Sequence, residues 1–279
     1  MRTLEDKVVV VTGAGSGIGR QIALSAARRG ALLAISDWDA DRLAESVGLL
    51  EAVGVRELRS DRVDVSERRA VADWAAAVAA QFGRVNMLVN NAGVTVTGDF
   101  EEMSYADFDW IVAVNLMGVV HGTKEFLPHL IGSGDGHVVN LSSLFGLISM
   151  PGQTAYNATK YAVRGFTEAL REEMLVARHP VAVTCVHPGG VKTGISRNGR
   201  KTPSQDSAAI DTFFDSRLAR SSAEKAAEVI LSGALAGKAR VLVGADAHAL
   251  HHFAKLAGSR YQDVLARFAA RNVPARRPR

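Results

Sequence analysis

With 279 residues, 47% of them hydrophobic, the chain can bury a full core as one α/β domain, and its single cysteine, Cys185, excludes an intrachain disulfide. The formal net charge of +4 sits at the end of the chain, where residues 271–279 hold four arginines and no acid; without them the 33 basic residues fall to 29, the number of acids. That leaves no basic stripe on the body for nucleic acid, no apolar run has the length of a membrane span, and a lone buried cysteine fits a reducing, cytoplasmic setting.

Met1 to Lys7 is charged and runs straight into an apolar stretch, so no secretory signal is expected. That stretch, Lys7 to Val11, carries the signature of a buried strand, and Thr12-Gly-Ala-Gly-Ser-Gly-Ile-Gly19 follows at once. A helix is expected from Arg20 to Arg29, stopping at Gly30. Strand, glycine turn and helix start together offer backbone N–H groups and the positive end of a helix dipole to a pyrophosphate. The common G-x-G-x-x-G spacing fails in both frames, because Ile18 and Arg20 stand where its last glycine belongs. The pattern present is T-G-x-x-x-G-x-G. Asp37 ends the second strand, residues 31–36, and lies 18 residues past Gly19, near the spacing of an acid that binds an adenosine ribose. A ribose phosphate there would meet a like charge, at a cost of about 4 kcal/mol for a separation of ~4 Å and an effective dielectric of ~20.

Further strands are expected over 58–64, 85–90, 137–142, 181–186 and 240–243, alternating with helical stretches. The class is therefore α/β: a Rossmann-type, doubly wound, mostly parallel sheet of about seven strands with helices on both faces. No repeat or linker divides it, and residues 1–270 are expected to form a single domain. Asn115 falls within a helix expected over 104–127, where asparagine is a poor helix former. Ser143 ends the strand that starts at His137, and Tyr156 and Lys160, four apart, project from one face of the next helix. A free tyrosine is a poor base at neutral pH. A neighbouring ammonium favours its phenolate, which points to proton transfer at an oxygen held by Ser143.

With these motifs in this order, the chain resembles the short-chain dehydrogenase/reductase family. Asn90-Asn-Ala-Gly93, Asn115 and Pro188-Gly-Gly-Val-Lys-Thr193 complete the match over residues 6–193, and a weaker likeness runs through 223–257. The resemblance implies hydride transfer between a nicotinamide cofactor and a secondary alcohol or ketone. Tyr156 would be the general acid/base, Lys160 would lower its pKa and anchor the ribose, and Ser143, thirteen residues before Tyr156, would hold the substrate oxygen. Asn115 would complete a proton relay through a water. The turn residues Gly13, Ser16, Gly17, Ile18 and Gly19 would cradle the cofactor, with Asp37 at the ribose and Asp64-Val65 at the adenine. Asn91, Ala92 and Gly93 would run along it. Pro188 and Gly189 would turn beneath the nicotinamide, Val191 would offer backbone groups to its carboxamide, and Thr193 would offer a hydroxyl. Family members that prefer NADP usually carry a base at the positions of Ser16 or Trp38, so NAD(H) is expected. A homotetramer or homodimer is implied as well.

Residues 194–222 are polar and stand where the family carries a substrate lid, with Phe213 and Phe214 as an apolar clasp for a lipophilic alcohol or ketone. Phe145, Leu147 and Met150 suit either a pocket lining or a core. Residues 245–270 form a helical extension whose stripe of Phe253, Leu256, Tyr261, Val264, Leu265 and Phe268 needs cover, and 271–279 form a basic tail expected to be disordered. His248, His251 and His252 suit a surface or subunit contact, and no metal site is expected. Trp74 and Trp110 are expected to pack between helices. Two other functions stay open at this stage: an NADP(H)-dependent carbonyl reductase, which Asp37 opposes, and a non-catalytic NAD(H) sensor, which the intact Tyr156 and Lys160 oppose.

Overall fold

The computed structural model describes residues 1–272, and most of the expected basic tail, residues 273–279, lies outside the described residues. The chain starts with β1 (Val8–Thr12), buried throughout, and turns through the glycines into α1 (Gly17–Arg28). β2 (Leu32–Asp37), α2 (Ala40–Ala52), β3 (Leu58–Arg62), α3 (Arg68–Phe82) and β4 (Met87–Asn90) continue the alternation. A short β5 (Val96–Thr97) leads to α4 (Tyr105–Val112), α5 (Gly118–Gly132), β6 (Gly136–Leu141), α6 (Thr154–Val176) and β7 (Val181–Pro188). A second short strand, β8 (Arg200–Lys201), and α7 (Ser207–Phe213) precede α8 (Ala223–Leu235), β9 (Arg240–Val243), α9 (Ala245–Ala257) and α10 (Tyr261–Asn272).

Among the described residues seven strands form one parallel sheet in the order β3-β2-β1-β4-β6-β7-β9. Alternate residues of each strand feed opposite layers. Val9 and Val11 pack with Ile22 of α1, Leu43 of α2 and Ile230 of α8, whereas Val10 joins Trp74 of α3, Phe126 of α5 and Leu170 of α6. Both faces are covered, which is why the central strands are mostly apolar rather than alternating, whereas the edge strand β3, Leu-Arg-Ser-Asp-Arg, is polar. The expected α/β architecture is the one observed. Trp74 meets Phe126 edge to face at 5.2 Å between ring centres, so it is a packing residue.

Three local readings need correction. The helix expected over 104–127 is interrupted by a π-turn, Ala113–Met117, in which the Gly118 N–H reaches back to the Ala113 carbonyl and Asn115 is swung inward. Residues 194–222, read as a polar loop, carry β8, α7 and a π-turn at Phe214–Leu218. Their charges are paired with one another and with α4: Lys201 meets Asp211 at 3.0 Å, Arg197 meets Asp215, and Arg200 meets Asp107 at 2.9 Å. Such pairings are long-range and leave no periodic trace in the sequence. Trp110 packs, as expected, against the cluster of Ile111, Ala155 and Tyr156 where α4 meets α6, and its ring also lies under the Arg200 guanidinium at 3.9 Å. At the other end, Arg271 stands in the last turn of α10 and not in a tail.

Candidate active site

The strand order reverses direction between β1 and β4, so the loops leaving their C-terminal ends part and open a crevice. The glycine turn lies in it, stitched to the segment after β4. Thr12 Oγ1 accepts the N–H groups of Asn91 and Ala92 at 3.0 and 3.1 Å, and Asn91 Nδ2 donates to the carbonyls of Thr12 and Gly13. Gly13 has φ +64°, and a Cβ there would come within 2.7 Å of the Ala92 backbone. Neither condition admits another residue. Gly17, φ +53°, faces the Thr193 methyl group, so the 188–193 loop closes over the start of α1. Ser16 is extended and forms no side-chain cap, which leaves the first-turn amides of Gly17, Ile18 and Gly19 without the usual side-chain acceptor. A helix start of this kind suits a phosphate.

Asp37 is nearly buried at the end of β2. Its Oδ2 accepts the Gly15 N–H at 2.8 Å and its Oδ1 accepts the Asp39 N–H at 3.0 Å, which leaves lone pairs on both oxygens. The nearby cation, Arg42, is directed to Asp39 at 3.2 Å and to Asn198. Asp64 tightens its own turn by accepting from the Ser66 N–H and hydroxyl, and Val65 packs against Gly118. Glycine turn, uncapped helix start and a carboxylate at the end of β2 fit a dinucleotide.

At the end of β6, Ser143 Oγ caps a short turn, Leu144–Gly146, accepting the Phe145 N–H at 3.1 Å. Its neighbour Ser142 donates to the Lys160 carbonyl at 2.7 Å and is occupied as a strut for α6. Tyr156 and Lys160 are both buried, with Lys160 Nζ 5.6 Å from the centre of the Tyr156 ring and donating to the Leu141 carbonyl at 3.0 Å. Burial pushes the Tyr156 phenol up and the Ser143 hydroxyl beside it partly offsets this, while burial pulls Lys160 down to about 8. Burial, rather than the ammonium, therefore dominates the phenol in this structure. Asn115 is fully buried and clamps Val94, accepting its N–H at 2.8 Å and donating to its carbonyl at 2.9 Å. A Cβ on Gly93 would lie 3.4 Å from both Asn115 Oδ1 and Lys160 Nζ, so the bare glycine keeps the space between them open.

After β7, Pro188 and Gly189 turn toward Val191. The bridge to Ser221 uses the Lys192 N–H and the Gly190 carbonyl, so it leaves Val191's own peptide groups aside. Sequence reasoning missed Asp246, whose Oδ2 accepts the Gly190 N–H at 2.7 Å and pins this turn from the start of α9. Its one signal was an acid in the first turn of a helix that follows a strand directly. Phe145 meets Tyr156 edge to face at 6.2 Å, and Val94 and Ile195 pack with them, giving the site an apolar side. His248, His251 and His252 lie away from it, in a groove against α8 and β9.

Residues 7–204 match the family model for short chain dehydrogenases. SadH of Mycobacterium tuberculosis, provisionally named an oxidoreductase, is 53% identical over 98% of this chain and 99% of its own. A CLA biosynthesis dehydrogenase/reductase of Lactiplantibacillus plantarum is 32% identical, covering 84% of this chain and 82% of that one. Among solved structures, a short chain dehydrogenase/reductase from Burkholderia phymatum in complex with NAD superposes with a TM-score of 0.85 at 33% identity, over 92% of this chain and 95% of that one.

Proposed function

This chain belongs to the short-chain dehydrogenase family, and from that premise we propose that it transfers a hydride between NAD(H) and a secondary alcohol or its ketone. The observation that carries the reading is the shared burial of Ser143, Tyr156 and Lys160 beside an uncapped glycine turn. A nicotinamide bound in the crevice supplies the hydride acceptor or donor. Gly13, Ser16, Gly17, Ile18 and Gly19 would hold the pyrophosphate, Asp37 the ribose hydroxyls and Asp64-Val65 the adenine. Asn91, Ala92, Gly93, Pro188, Gly189, Val191 and Thr193 would line the nicotinamide half.

In the oxidative direction Tyr156 Oη, as phenolate, takes the alcohol proton while the carbon–hydrogen bond gives up its electron pair as hydride. Ser143 Oγ donates to the same oxygen as charge shifts on it. Lys160 must keep its proton for this, because its ammonium adds to the Ser143 hydroxyl in offsetting what burial costs the phenolate. Asn115 holds the Val94 backbone and closes the far side of the relay from Lys160. In reduction Tyr156 donates instead. Asp37 argues for NAD(H) over NADP(H), since Arg42 is turned away to Asp39 and Asn198. The apolar wall of Val94, Phe145 and Ile195 suits a lipophilic substrate.

The test is reduction of NAD⁺, with NADP⁺ in parallel, across secondary alcohols from small diols to steroids. Turnover should require NAD⁺, and Tyr156→Phe should lower kcat about 10²–10⁴-fold with NADH binding retained. A Tyr156→Phe variant with most of its activity intact would remove the assignment. Tight NADH binding without turnover of any alcohol would favour the sensor.

A further inference from the structure

Beyond the sheet, α9 and α10 fold back against the segment that joins Ser143 to Tyr156. Ala247 of α9 and Leu265 of α10 pack with Leu144 and Ile148 of that segment, and Tyr261 lies against the same cluster. The Tyr261 hydroxyl does more than packing requires. It accepts the Ser149 N–H at 3.1 Å and stands 3.4 Å from Ser149 Oγ.

The Tyr261 hydroxyl thus accepts from the Ser149 main chain and donates to the Ser149 side chain, holding both to α10.

We propose that Tyr261 is a positioning residue, whose hydroxyl fixes residues 144–153 to α10 so that the C-terminal helices set the substrate side of the pocket. The inference rests on the proposed function, because it assigns that segment to the substrate. Its other hydrogen bonds run to α6 and to the segment around β5: Met150 N–H to Asn157 Oδ1 at 2.9 Å, Asn157 Nδ2 to the Phe145 carbonyl at 3.1 Å, Gln153 with Thr95 and Thr97 at 3.1 and 2.8 Å, and the Gly98 N–H to the Gly152 carbonyl. Among the hydrogen bonds described, Tyr261 alone joins the segment to the C-terminal helices α9 and α10.

In the full chain, Tyr261→Phe keeps the ring and deletes only the hydroxyl. The KM for the best alcohol of the panel should rise about three- to tenfold, the worth of a hydrogen bond, with kcat and the KM for NAD⁺ within about twofold. Amide exchange across residues 144–153 of the NADH complex should quicken. An unchanged alcohol KM, or an equal rise in the KM for NAD⁺, overturns the proposal. If the parent chain turns over no alcohol, the functional reading fails separately and amide exchange decides: unaltered exchange in Tyr261→Phe overturns the positioning role.

Discussion

His187 holds the main chain of Ser143, its Nδ1 lying 2.9 Å from the Ser143 carbonyl inside the protein. A carbonyl can only accept, so the proton is on Nδ1, and Nε2 is left buried with no hydrogen-bond partner among the described residues. His187→Leu should release the serine-bearing turn and lower kcat about tenfold, whereas His187→Asn, which places an amide N–H near the position of Nδ1, should recover most of it. Steady-state kinetics of the two variants check this, with melting temperatures to separate loss of position from loss of fold.

Two buried histidines should make the chain sensitive to acid. Burial lowers both His137 and His187 from 6.5 to about 4. Below pH 6.5 the unfolded chain takes up protons that the folded chain refuses, so their contribution is present above that pH and is lost as pH falls toward 4. Each should cost on the order of 2 kcal/mol at pH 5. Chemical denaturation at pH 7.5 and pH 5 reads the loss directly, and it should shrink in His137→Gln, where the Thr184 hydroxyl, 2.9 Å from Nε2, keeps a partner.

Asp37 should govern the choice of dinucleotide. Asp37→Ala removes both the proposed ribose acceptor and the charge that would oppose a phosphate, so NAD⁺ affinity should fall about tenfold or more while NADP⁺ affinity rises. Fluorescence titration with NADH and NADPH gives both constants. The Gly15 N–H loses its partner as well, so Asp37→Asn, which keeps an acceptor for it, isolates the effect of charge. An unchanged preference in both variants would defeat the argument.

The sheet was legible in the sequence because a parallel strand covered on both faces is mostly apolar, as the runs Val8–Val11, Met87–Val89 and Val181–Val183 are. The glycine turn, Asp37, Tyr156 and Lys160 were legible because their meaning is local: a positive φ, a strand end, a four-residue spacing. What escaped was relational. Asp246 reaches Gly190 from 56 residues away, and Tyr261 reaches Ser149 from 112. Nothing at either position marks its partner. The order within residues 194–222 escaped for a similar reason, since Lys201 and Asp211 read as solvated charges until the fold brings them to 3.0 Å.

The wide turn at Ala113–Met117 works as a one-residue phase shift. An α-helix advances about 100° per residue, so one residue absorbed in that turn decides which side chains of α5 face the sheet. Phe126 and Leu130 reach their places under α3 because the extra residue was taken up upstream of them. Deleting any one residue between 113 and 117 would therefore be felt mostly elsewhere. It would ease the local backbone into ordinary helix, turn Asn115 off Val94, and rotate fifteen residues of α5 out of phase with the layer beneath.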